Sequence, residues 1–275
     1  MCRPNGGCRS DDRGVQVGMG EKVGRSIGSR RSFVVGTMGL MLASCRPGLG
    51  AQLASRDYAH TFTRRDLAAV HALSTESFRR AVWNRLSPQE FQPIARLMGH
   101  GRHMDVVDTL FDGDRAAIQM RTEDKKQFRL HAVRVGEEWL VDDVLAEVEP
   151  AVYVSKRRQA EAVLAIRDFR LALEAKDGQA LAQACSQGFA QEVWSRMTAP
   201  RWQQLGDRLA AIVEETAGEV GDVHTSAEGS PSAPVGQGPY VFYFTSARGR
   251  LVVDDVHLPK GPPTMRVRLR NELAK

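Results

Sequence analysis

The chain has 275 residues, with 38 Lys and Arg against 33 Asp and Glu. Seven of the basic residues and three of the acidic ones fall in residues 1–44, so the rest is nearly neutral at 31 against 30, and the electrostatic case for a nucleic-acid partner disappears. Of four cysteines, Cys2, Cys8 and Cys45 precede the body of the chain, which leaves Cys185 alone there and excludes an internal disulfide.

The residues before Met19 are polar and Gly-rich, unlike a leader, and Met19 is the expected start. From Gly28 to Cys45 the chain has a charged beginning, an apolar run of about eleven residues (Phe33–Ala43) and a small-residue end. That is the layout of an export signal, and it is too short for a bilayer core, which takes about 20 residues. Within it SRRSF, with Arg30 and Arg31, resembles the twin-arginine export motif, and LASC (Leu42–Cys45) resembles the lipobox of bacterial lipoproteins. Residues 1–45 are then a signal peptide up to the lipobox cysteine. The resemblance implies an extracytoplasmic protein held at the cell membrane by acylated Cys45. An ordinary signal cut near Gly50 or Ala51, or general rather than twin-arginine export, is the alternative.

The body of the chain repeats itself. DLAAVHALSTESFRRAVWNRLSPQEFQ from Asp66 lies over DGQALAQACSQGFAQEVWSRMTAPRWQ from Asp177 at a constant offset of 111, with Phe78/Phe189, Trp83/Trp194 and Arg85/Arg196 among the identities. WLVDDVLAE (Trp139–Glu147) returns as RLVVDDVHL (Arg250–Leu258) at an offset of 112. Two copies of about 100 residues are a duplicated domain rather than a solenoid, with expected bounds 51–150 and 151–260 and a basic tail at 261–275.

Each copy reads helices first and strands later. Ala162, Ile166, Phe169 and Leu173 make one apolar stripe on a long helix ending at Asp177–Gly178. A second helix carries Phe78, Val82 and Trp83, and SPQE (Ser87–Glu90) is a capping box that opens a third. MDVVDTLF, RAAIQMRT, QFRLHAVRV and EWLVDDVLAEV then alternate as strands between DGD, EDKK and GE turns. The second copy has EVGDVHTSA, YVFYFTS and RLVVDDVHL, while EGSPSAPVGQGP between them reads as a loop.

Three helices followed by an antiparallel meander, closed by a strand like EWLVDDV, resemble the NTF2-like (SnoaL-like, cystatin-like) superfamily, once per copy from about Ala51 to Pro259. The resemblance implies an α+β fold of two tandem cones, each a curved sheet wrapped around a long helix, with enzymes of the family placing substrate in the open mouth. It also implies a family of isomerases, dehydratases, cyclases and non-catalytic binding modules, so the fold alone leaves function open. The two copies are expected to pack as an intramolecular pseudo-dimer, as family dimers do.

Successive strand side chains point to opposite faces, so without a bulge the two aspartates of a VDDV pair cannot act as a dyad. With Trp139, Val141 and Leu145 facing the helices, Asp143 shares their face, and Asp143 or Asp255 is the candidate pocket acid. His131, in mid-strand, is a third candidate; His71 and Asp108 qualify only by location. His100, His103 and Asp105 have metal-like spacing but lack a firm third ligand. No P-loop, Ser/His/Asp set, dinucleotide fingerprint or CxxC is present, and no cofactor is implied. The expected function is a lipid-anchored, non-catalytic binding or interaction protein, its partner a protein or a small hydrophobic ligand or lipid; an isomerase or dehydratase using one cone is the rival.

Overall fold

The computed structural model describes residues 47–64, 66–98, 104–196, 220–225, 229–236, 240–259 and 266–270, with short pieces between 198 and 207. Cys45, Arg30, Arg31, His100 and His103 lie outside the described residues. The chain is α+β, with two open antiparallel sheets of five strands each.

The first half begins with α1 (Pro47–Thr63), α2 (Leu67–Ala72), α3 (Glu76–Ala81), a 3-10 turn at Trp83–Arg85 and α4 (Pro88–Leu97). Asp66 makes α2 a helix of its own by accepting the Ala69 N–H at 2.9 Å, so there is one helix more than the three expected. Thr75 caps α3 in the same way, from Phe78 N–H. At α4 the Glu90 carboxylate accepts the backbone N–H of Ser87 at 2.9 Å, the capping-box bond, and also the Ser87 hydroxyl at 2.8 Å.

Strands β1 (Met104–Asp112), β2 (Arg115–Thr122), β3 (Gln127–Val135), β4 (Glu138–Glu149) and β5 (Val152–Ser155) form a simple meander. Gly113 and Gly136 occupy left-handed positions, φ 58° and 65°, in the two-residue β1–β2 and β3–β4 turns, where a Cβ would strain the backbone. A fifth strand, β5, continues directly into α5 (Lys156–Ala175), capped by Ser155.

The second half repeats this order with α6 (Gly178–Ala184), α7 (Gln187–Glu192), a 3-10 turn at Trp194–Arg196, and strands β6 (His224–Thr225), β7 (Pro231–Val235), β8 (Tyr240–Ala247), β9 (Arg250–Pro259) and β10 (Arg266–Arg268). Two expectations change here. The Pro-rich stretch is a strand, β7, in which Ala233 and Val235 are buried and Pro234 is exposed. Pro234 accepts from Gly221 N–H at 2.9 Å, so its backbone polar edge points away from β8 and its missing N–H costs no bond to β8. The start of the supposed tail also pairs, with Arg266–Arg268 running antiparallel to Pro259–His257.

Two cores result, and α5 belongs to both. Ala160 and Leu164 pack into the first, with Tyr58, Phe78, Trp83, Phe91, Ile118 and Val141. Ala162, Ala165, Ile166, Phe169 and Leu173 pack into the second, with Phe189, Trp194, Phe242 and Phe244. This double duty explains why the helix is buried on more than one stripe and why its contact residues are so often alanine.

Candidate functional site

Both VDDV pairs sit at a β-bulge. On β4, Asp143 pairs with His131 and Val141 with Ala132, so Asp142 is the extra residue; on β9, Asp255 pairs with Tyr243 and Val253 with Phe244, so Asp254 is. Val141 and Val144 are both fully buried although three residues apart, which plain alternation forbids. The bulge takes up the two aspartates together, on the side away from those valines, and resets the phase so that Val144 and Ala146, not Leu145, face the core. The expectation that Asp143 shares the inner face with Leu145 is thereby corrected.

Each aspartate has its own partners. Asp142 Oδ1 accepts from Thr75 Oγ1 at 2.6 Å, Ser77 Oγ at 2.8 Å and Arg157 Nη1 at 3.1 Å. Burial works against its charge, but these donors overcome it and hold the carboxyl below its ordinary range. Asp143 accepts from Ser155 Oγ and Val144 N–H; here burial wins and raises its pKa. The arginine that serves Asp142 also bonds its carbonyl at 2.9 Å, pairs with Glu161 and lies 5.3 Å from the Phe78 ring centroid.

The second half copies this arrangement. Arg270 bonds Asp254 through its carbonyl and Oδ1 at 2.7 and 2.6 Å, pairs with Glu192, and lies 5.6 Å from the Phe189 ring centroid. Asp255 is almost fully buried, accepts from Val256 N–H, and has Oδ2 without a hydrogen bond; burial pushes its carboxyl up to about 6. The arginines Arg157 and Arg270 were invisible to motif reading, since they stand 113 apart, beyond a further one-residue slip in the repeat. A search for a cation shortly after each VDDV would have found them.

Two clefts open beside this arrangement. The first, about 310 Å³, lies on β2 and β3 and is bordered by Leu110, Phe111, Ala117, Val133, His131 and Asp142. Strand alternation puts Leu110, Ala117, Val133 and His131 on the outer side of the sheet. Burial, then the nearby Arg129 charge, lowers the His131 pKa against the pull of Asp142. The second cleft, about 390 Å³, lies between the halves and is bordered by Asp143, Arg157, Arg158, Glu161, Ser246 and Arg250. Asp142 and Asp143 therefore border different clefts. No family model, no curated protein and no solved structure matches this chain.

The remaining candidates do not join these groups. His71 bonds Asn84 near the 3-10 turn, and Asp108 accepts from Thr109 N–H on the edge strand. Asp105 lies at the start of β1, exposed. Cys185 is buried beside Val253, and burial pushes its thiol up, the setting of a packing residue. Among the described residues no three His, Cys, Asp or Glu side chains are grouped to hold a metal, and no helix is long and apolar enough to cross a membrane.

Among the described residues, the interior of each half is lined by large buried side chains. Tyr58, Phe78, Trp83, Phe91, Met98 and Ile118 occupy the first, all at most 2% exposed. The Tyr58 hydroxyl meets Ser74 and Trp83, and burial raises its pKa well above the ordinary value. Phe169, Phe189, Trp194, Phe242 and Phe244 occupy the second, the first four joined by one stacked and three edge-on ring contacts of 5.9–6.5 Å.

Proposed function

We propose that this chain is an exported, lipid-anchored protein of two tandem NTF2-like units, which holds a small, largely apolar ligand at its surface and performs no chemistry on it. The observation that carries this reading is the set of large aromatic side chains buried in both interiors. On this reading, the space between helices and sheet, where an NTF2-like enzyme would hold its substrate, is packed with aromatic side chains in both halves. Open space lies instead on the outer sheet face, where Leu110, Ala117 and Val133 provide apolar contact and His131 and Asp142 provide a polar end. With its pKa lowered, His131 is neutral at pH 7, beside an Asp142 carboxylate held ionised, and that pair suits an amine or hydroxyl head group.

The rival isomerase or dehydratase reading needs an ionisable group at the base of an interior cavity. The aspartates stand on the far side of Val141 and Val144, bound to helix caps and arginines, which favours a structural part for them. Export and anchoring rest on the Gly28–Cys45 stretch, and place the protein outside the cytoplasm at the cell membrane.

Native mass spectrometry of the full chain, purified in detergent from a bacterial membrane, tests the binding reading. Wild type is expected to carry a small molecule that the groove-filling variant Ala117→Trp has lost. Equal ligand occupancy in the two proteins, or none in wild type, contradicts it.

A further inference from the structure

Nine large apolar side chains stay exposed among the described residues, and six of them, Leu49, Leu53, Val107, Leu110, Phe111 and Val135, belong to α1, β1 and the end of β3. The side-chain amide of Gln52 bonds Thr109 at 3.0 Å, so the start of α1 lies against β1. Phe111 meets the Trp139 ring edge-on at 6.0 Å, and Gly50 backs onto the same ring. Arg134 N–H donates to Asp114 O at 2.7 Å, so the β1–β2 and β3–β4 turns are neighbours. Apart from Val107, which lies further back at the β1 bulge, these apolar groups thus gather at one end of the first sheet, with Leu110 64% and Val135 56% exposed. Clusters of this kind mark contact surfaces, whereas isolated exposed apolar residues need no explanation.

The position of the anchor says what covers this end. This step rests on the reading of Cys45 as the acylated residue. Helix α1 begins at Pro47, with Arg46 alone between it and Cys45. Two peptide units span at most about 7 Å, so whatever lies beside the start of α1 lies beside the lipid head groups.

We propose that the end of the first sheet around Leu49, Leu53, Leu110, Phe111 and Val135 is a membrane-contact face, seated in the head-group layer of the bilayer that holds the Cys45 lipid. The exposed charges at its rim are Asp112, Asp114, Arg115, Arg134, Glu137 and Glu138, more acidic than basic. The attraction is therefore apolar and tethered rather than electrostatic, and it operates on zwitterionic lipid and at high salt. The outer groove at Leu110 and Phe111 borders this face, so an apolar ligand passes between bilayer and groove over a short path.

Site-directed fluorescence on the full, lipidated chain tests the proposal. An environment-sensitive dye is placed on Leu110→Cys and, in a separate protein, on Lys125→Cys in the β2–β3 turn, about 20 Å away along the strands. Buried Cys185 stays unlabelled under native conditions. In phosphatidylcholine vesicles containing nitroxide-labelled lipid, the Leu110→Cys dye is expected to shift to the blue and lose at least half its emission, unchanged in 0.5 M salt. The Lys125→Cys dye is expected to stay water-like. Equal behaviour of the two dyes overturns the proposal, as does a blue shift without lipid quenching, which assigns the face to a protein contact, including a second copy of this chain. Intact mass of the same samples separates the two levels: an unacylated or differently cut N-terminus rejects the anchor and this face with it, whereas acylated Cys45 with water-like dyes rejects only the face.

Discussion

At the residue scale, adjacent aspartates in an apolar strand acquire meaning from their partners. Asp142 and Asp254 each receive an arginine that reaches over a phenylalanine, while Asp143 and Asp255 go into less polar surroundings. Asp255 is the sharper case, being 1% exposed, with its pKa raised from 3.8 to about 6. Because the folded state holds this proton more tightly than the unfolded chain, stability from this group falls as pH rises from about 4 to about 6 and is flat above that. A shift of about two units corresponds to about 2–3 kcal/mol, as an order of magnitude. Urea unfolding at pH 7 and pH 4.5 is therefore expected to show a larger gain on acidification for wild type than for Asp255→Asn, by about 2 kcal/mol. An identical pH response in both proteins excludes a strained Asp255 carboxylate.

At the element scale, the bulge in β4 is the device that allows VDDV to exist in a sheet with one buried face. With Asp142 taken up as an extra residue, Val141 and Val144 both reach the core; a regular strand that kept both aspartates would turn every side chain beyond that point to the other face. Deleting Asp142 is expected to leave Val144 and Ala146 in the core of a regular strand and to cost about 1.5–3 kcal/mol, through loss of its charged hydrogen bonds to Thr75, Ser77 and Arg157. A deletion variant with an unchanged denaturation midpoint refutes this account. The strand order and the capping box at Ser87–Glu90 were legible in the sequence because alternation and caps are local. The bulge was not, because it is defined by pairing with β3.

At the scale of the whole molecule, α5 joins the two halves. Leu164 fills the first core from a helix whose other side fills the second, and Arg167 and Asp168 on the same helix pair with Glu90 and Arg85 of the first half. Arg250 of the second half approaches the same Asp168 at 3.6 Å. Leu164→Ala is expected to cost about 2–4 kcal/mol and to lower the stability of both halves together, since the helix is common to them. The check is unfolding followed by hydrogen exchange in β2 and β8 separately. Loss of protection in β2 alone argues that the halves unfold independently.

What the sequence by itself determined was the α+β order of helices and strands, the duplication at an offset of 111, and the near neutrality of the chain beyond residue 44. These properties are carried by period, spacing and composition, which need no partner. The tertiary structure alone decided that β7 and β10 are strands, that the paired aspartates bulge away from the core, and that Arg157 and Arg270 are their counter-ions. It also decided that large aromatic side chains are buried in both interiors and that one end of the first sheet is left apolar. Each of these depends on contacts between residues distant in the chain, whose distances no local pattern encodes.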